Sequence, residues 1–134
     1  MFIYLDTSAV LRATVEEGTS REIEERIAGA QVIICSRLAL VESARVFHRL
    51  RLEGKYPETQ LSDLERAVDE LWSRSEIWEL SRNVCKAAAL VAPRRNLRTL
   101  DALHLATFQV ARRRIEGLEL VTADDRLRLA AEMT

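Results

Sequence analysis

Short apolar runs alternate along this chain with longer stretches whose apolar positions recur at helical spacing. Residues 2–5, "FIYL", are apolar throughout, as expected of a parallel strand covered on both faces. Ile23 and Ile27 lie four apart and predict a helix over about 20–29, capped by Thr19 or Ser20 and stopped by Gly29. "QVIIC" at 31–35 predicts a second strand, after which Ser36 caps a long helix that runs to about Glu53 and ends at Gly54. Pro57 suits the first turn of a helix over about 57–73, with Leu61, Leu64, Val68 and Leu71 as its inner stripe. "EIWEL" at 76–80 alternates and predicts a third, shorter strand. A helix over about 82–94 stops near Pro93, and the polar loop "PRRNLRTL" leads to a helix at 101–114. Strand "LELVT" at 118–122 and a helix from about 124 complete the pattern.

Strands alternating with helices imply an α/β layer fold around a parallel sheet. With 134 residues and no repeat or linker, the chain is expected to form one domain over 1–134. Hydrophobic residues make up 48% and charged residues 31%, the balance of an ordinary globular protein rather than a disordered one. The apolar runs are too short to span a bilayer, and no secretory signal pattern opens the chain, so a cytoplasmic location is expected. A net charge of −1 gives no global basic field, so a nucleic-acid partner would have to be held locally. Cys35 and Cys85, both in apolar stretches, read as buried structural thiols, although spacing leaves a disulfide open. With His48 and His104 they lack the close ligand pairs of a zinc site.

Four carboxylates stand in unusual company. Asp6 follows the first strand directly, where open α/β sheets bind ligands, and either caps the segment starting at Thr7 or binds something. Thr122-Ala123-Asp124 repeats the arrangement after the last strand, with Asp124 favoured over Asp125 as the functional carboxylate. Glu42 has Leu38, Ala39, Arg45 and Val46 as helical neighbours, so it is expected to point inward, with Arg45 its only polar company on that side. Asp101 opens a helix that is apolar nearly all round and follows an arginine-rich loop; it either caps that helix or faces the same crevice. His104, one turn on, reads as a hydrogen-bonded core histidine rather than a catalytic base. Clustered carboxylates need a cation between them, and oxygen ligands suit magnesium or manganese. Thr7, Ser8 and Thr122 could orient waters or carboxylates around such an ion.

The segments "YLDTSAV", "LALVESARVFHRL", "RTLDALHLATFQVA" and "LVTADDRL" together resemble the PIN-domain nucleases, and within them the VapC-type ribonuclease toxins. The first and third are the most specific, and the four cover nearly the whole chain in order. The resemblance implies a three-layer α/β/α sandwich with a mainly parallel sheet of four or five strands in order 3-2-1-4. It also implies a metal-dependent endoribonuclease whose catalytic residues here are Asp6, Glu42, Asp101 and Asp124, with Asp6, Asp101 and Asp124 on the metal. A homodimer and a small antitoxin whose arm enters the acidic groove are implied as partners.

An acidic cleft repels RNA unless basic groups flank it. Arg94, Arg95 and Arg98, just before Asp101, are expected to hold phosphates beside the metal, whereas Arg112-Arg113-Arg114 reads as a solvated helix end. Aromatics, at 5%, are too sparse for a base-stacking platform. Two other readings compete. An aspartate-nucleophile phosphatase or phospho-receiver domain would also place a carboxylate after a strand, and a non-catalytic RNA-binding or scaffold module would keep the groove without chemistry.

Overall fold

A computed structural model describes residues 1–133. Its elements in chain order are β1 (Phe2–Leu5), α1 (Thr7–Ala13), α2 (Arg21–Ala28), β2 (Val32–Ser36), α3 (Arg37–Glu53), α4 (Glu58–Ser73), β3 (Ser75–Trp78), α5 (Arg82–Leu90), α6 (Thr99–Arg114), β4 (Leu118–Val121) and α7 (Asp125–Glu132). The four strands form one sheet in the order β3-β2-β1-β4. Every pairing is parallel, with Phe2 opposite both Val32 and Leu118, so all four strands end at the same edge.

Helices cover both faces because the strands are apolar on both. Ile3 and Leu5 join Val10, Ile23, Phe47, Leu61 and Val68 in a core on one face. Tyr4 and Ile34 join Leu105, Phe108 and Leu127 on the other. At roughly 25 cal/mol for each Å² of apolar surface buried, these two cores are the main stabilising contribution to the sandwich.

Local chemistry sets most boundaries. The Ser20, Ser36 and Ser81 hydroxyls each accept a backbone N–H at the start of α2, α3 and α5. Gly54 closes α3 with φ 67°, a left-handed conformation that glycine adopts without a side-chain clash. Pro57 lies just outside α4 as its N-cap rather than within the first turn. The largest departure from the pattern is α5, which ends at Leu90 instead of reaching 94. Ala92 is buried with φ 45° and its carbonyl accepts the Arg95 N–H, so the chain turns there and leaves residues 93–98 as a connection to α6.

Cys35 is fully buried in β2, whereas Cys85 is exposed on α5, against the expectation of two buried thiols. Val84, not its neighbour, is the residue of α5 that packs inward, because adjacent helical positions do not share a face. Both cysteines are free.

Candidate metal centre at the carboxyl edge of the sheet

Parallel strands deliver their carboxyl ends to one edge, and the expected acidic residues gather there. Asp6 directly follows β1, and Asp124 lies three residues past the end of β4. Glu42 is in the second turn of α3, and Asp101 is in the first turn of α6.

Asp6 is buried, and both its oxygens are engaged. Oδ1 accepts the Ala9 N–H at 3.0 Å and so caps α1, while Oδ2 accepts Thr122 Oγ1–H at 2.6 Å. Ser8 Oγ lies 2.8 and 2.9 Å from the two oxygens and also accepts the Ala123 N–H at 2.9 Å. Capping and site-building are therefore the same arrangement at Asp6, and neither Thr7 nor Ser8 takes over the cap. Thr122 Oγ1 in turn accepts the Asp124 N–H at 3.0 Å, tying the ends of β1 and β4 together. Burial raises the Asp6 carboxyl above its ordinary value, opposed by the hydrogen bonds from Thr122 and Ala9.

Asp124 caps α7, Oδ1 accepting from the Arg126 and Leu127 N–H groups at 2.9 and 3.3 Å. Asp125 is exposed and ion-paired with Arg128. Asp101 is the exception, since α6 begins at Thr99 with Arg98 as N-cap and no side-chain cap hydrogen bond. Its Oδ2 lies 3.7 Å from Arg98 Nε, and its pKa is raised by burial, then by Asp124, with Asp6 adding a smaller push. The three aspartates therefore share one electrostatic environment.

Glu42 points inward as expected, but toward different partners. Oε1 accepts Thr7 Oγ1–H at 2.5 Å and lies 2.7 Å from His104 Nε2. Arg45 is exposed and forms no ion pair with it among the described residues. A carboxylate only accepts, so Nε2 carries the ring hydrogen and, in a neutral ring, Nδ1 accepts from the buried Tyr4 hydroxyl at 3.0 Å. Burial pushes the Glu42 carboxyl up, but hydrogen bonds from His104 and Thr7 outweigh it and hold the group below its ordinary value. The Tyr4–His104–Glu42 chain joins residues 100 and 62 positions apart, and the sequence signal for it is slight: His104 one turn after Asp101, and a tyrosine inside an apolar strand.

The arginine loop divides. Arg98 stays beside Asp101, but Arg95 turns toward the Met133 sulfur, 2.8 Å from Nη2, at the far end of α7 from Asp124. Arg94 is exposed next to Pro93, which lines a cavity of about 440 Å³ with Arg112 and Arg113. Arg94 and Arg95 therefore do not sit beside the acidic centre. The early end of α5 starts the connection to α6 level with the middle and C-terminal turns of that helix, and only its last residues reach the acidic edge.

These observations meet in similarity to known proteins. A PIN domain family model matches residues 3–133. The chain belongs to the PIN domain family. It is 33% identical over 132 residues to Ribonuclease VapC35 of Mycobacterium tuberculosis, an alignment covering 97% of this chain and 90% of that protein. The fold is similar to PAE2754 from Pyrobaculum aerophilum, with TM-score 0.70 and 17% identity over 98% of this chain and 81% of that one. It is also similar to a chain of VapBC2 from Rickettsia felis bound to a DNA fragment from their promoter, with TM-score 0.59 and 17% identity over 92% of this chain and 100% of that one. The order 3-2-1-4 implied by the PIN resemblance is the order observed.

The donors suit a hard divalent ion, because every candidate ligand is a carboxylate or hydroxyl oxygen. Among the described residues no three acidic, histidine or cysteine side chains are already arranged to hold an ion.

Proposed function

We infer that this chain is an endoribonuclease, the toxin of a toxin–antitoxin pair, that hydrolyses RNA phosphodiester bonds with the help of Mg2+ or Mn2+. The observation that carries the reading is the gathering of Asp6, Asp101 and Asp124 at one sheet edge in a PIN domain chain. In this reading Asp6, Asp101 and Asp124 hold the cation and Glu42 completes the catalytic set. When bound, the ion neutralises the clustered carboxylates and gives electrophilic assistance to the phosphoryl group.

The side chains supply the rest. Ser8 and Thr122 fix the Asp6 carboxylate, leaving it little freedom to turn away from an ion. Glu42 is favoured in its ionised form by His104 and Thr7 on Oε1, and in this reading Oε2 would orient the attacking water. Arg98, at the entrance beside Asp101, attracts the phosphate.

A groove of about 730 Å³ beside Glu42, lined by Leu11, Leu38, Val41, Leu52 and Leu100, would take the antitoxin segment. Val41 and Leu52 are exposed there without a partner in the single chain. A homodimer and a cytoplasmic location belong to the same reading; no helix among the described residues is long and apolar enough to cross a membrane. Incubating the protein with RNA and Mn2+, beside the Asp6→Asn variant, tests the reading. Metal-dependent cuts lost in the variant support it, whereas metal-independent RNA binding with no cuts would favour a non-catalytic module.

A further inference from the structure

The C-terminal half of α6 carries Arg112, Arg113 and Arg114; Pro93, from another part of the chain, lines a cavity with Arg112 and Arg113 and is followed by the exposed Arg94 and by Arg95, which turns to Met133. None of the five forms an ion pair among the described residues, which is true also of Arg45, Arg74, Arg82 and Arg126. Glu116 and Glu132 are near in sequence but pair with none of them. Arg112 lies over the Phe108 ring, 5.0 Å from its centroid, which fixes its stem while leaving the guanidinium edge outward. Arg114 is turned aside over Trp78 at 5.9 Å, so Arg94, Arg112 and Arg113 form the outward group.

Helix-end arginines alone would complement the helix dipole. Two features go beyond that. Arg94 follows Pro93 in a separate segment, and Pro93 lines a cavity of about 440 Å³ with Leu90, Val91, Ala92, Gln109, Arg112 and Arg113. Segment 93–98 then runs back along α6 to Arg98 at the acidic centre, so cations mark a path from one end of the helix to the other.

We propose that Arg94, Arg112 and Arg113 form a second RNA-backbone site, remote from the cut, with the Leu90–Pro93 cavity accepting a base or sugar. The proposal rests on the ribonuclease reading for its choice of polyanion. The acidic centre repels phosphate, and Arg98 there faces Asp101 at 3.7 Å, so further basic groups away from the carboxylates would add to affinity for RNA. At 1.5 Å per residue, Asp101 and Arg113 are about 18 Å apart along α6, the span of about five stacked nucleotides at 3.4 Å each.

The test measures binding of the full chain in EDTA, where cleavage cannot intervene, to single-stranded RNAs of about 16 and about 4 nucleotides. The variants are Arg112→Glu with Arg113→Glu, and separately Arg94→Glu, which comes from a different segment and guards against a local folding defect. For the longer RNA the double variant is expected to bind at least about tenfold more weakly, with a salt slope shallower by roughly 1.4, and Arg94→Glu to lower the slope by roughly 0.7. Unchanged affinity and slope in both would overturn the proposal, as would a patch that binds poly-glutamate but contributes nothing to RNA. Cleavage with unaltered binding removes this site alone, while patch-dependent binding without metal-dependent cleavage removes the ribonuclease reading and leaves the site.

Discussion

Thr122 and His104 are the two side chains through which the acidic residues are oriented. Thr122 donates to Asp6 at 2.6 Å and accepts from the Asp124 backbone, so replacing it with valine loosens two proposed ligands together. Thr122→Val is expected to weaken Mn2+ binding by about 10–100-fold while the fold persists, measured by calorimetry. His104 is buried between Tyr4 and Glu42, so His104→Leu leaves two buried polar groups short of a partner and is expected to cost about 1–3 kcal/mol for each, read as a lower denaturation midpoint. The pH dependence has opposite signs at two residues. Glu42, depressed in the fold, contributes stability that is present above its ordinary value of 4.5 and lost as pH falls below it. Asp101 is raised, so stability falls as pH rises above its ordinary value of 3.8, and the loss is complete once pH exceeds the shifted value. In EDTA at neutral pH, Asp101→Asn should therefore raise Tm, by about 3–5 °C for each kcal/mol of relief, and in the presence of Mn2+ it should abolish cleavage. A lower Tm would show that Asp101 is held by favourable contacts instead. The four carboxylates were legible because each stands where local spacing is informative: after a strand, or on an apolar helical face. Their partners were not, because Glu42 meets His104 only through a contact 62 residues apart in the chain, and helical spacing pointed to Arg45.

Caps and stops carry most of the element-level information. Ser36 and Gly54 bound α3 in the sequence as in the fold, because a side-chain acceptor and a left-handed glycine act within a few residues. Gly54→Ala should destabilise by about 1 kcal/mol, entirely through its φ of 67°, since open space surrounds the position. Asp124 combines a cap with a proposed ligand, and substitution separates the two roles. Asp124→Ala should lose about 0.5–2 kcal/mol with activity, whereas Asp124→Ser should keep most of the stability and still lose activity, as chemical denaturation beside an RNA cleavage assay would reveal. α5 was less legible. Its apolar run continues to Ala92, but Ala92 adopts a positive φ to bury itself in the core against α6, and this tertiary choice overrides the helical period. The displaced end carries Arg94 and Arg95 away from Asp101, which separates Arg98 from the rest of the loop.

At the scale of the whole molecule, parallel pairing makes the chemistry possible. Because β1 and β4 are adjacent and end together, residues more than a hundred positions apart meet at Asp6 and Thr122. The apolar character of the strands made the sheet readable, while the order 3-2-1-4 came from resemblance rather than from spacing, since alternation alone leaves strand order open. Charge is distributed along the same axis: acidic at the N-terminal end of α6, basic and unpaired at its C-terminal end. Across a net charge of only −1, that separation suits the proposed binding of both a cation and a polyanion by one protein. The most direct measurement is cleavage of RNA by wild type and Asp101→Asn, each with Mn2+ and with EDTA, followed by sequencing of the new ends. Discrete ends that appear only with wild type and Mn2+ are predicted. Equal cleavage by Asp101→Asn, or cleavage that persists in EDTA, would contradict the assignment of the acidic edge as a metal-dependent ribonuclease centre.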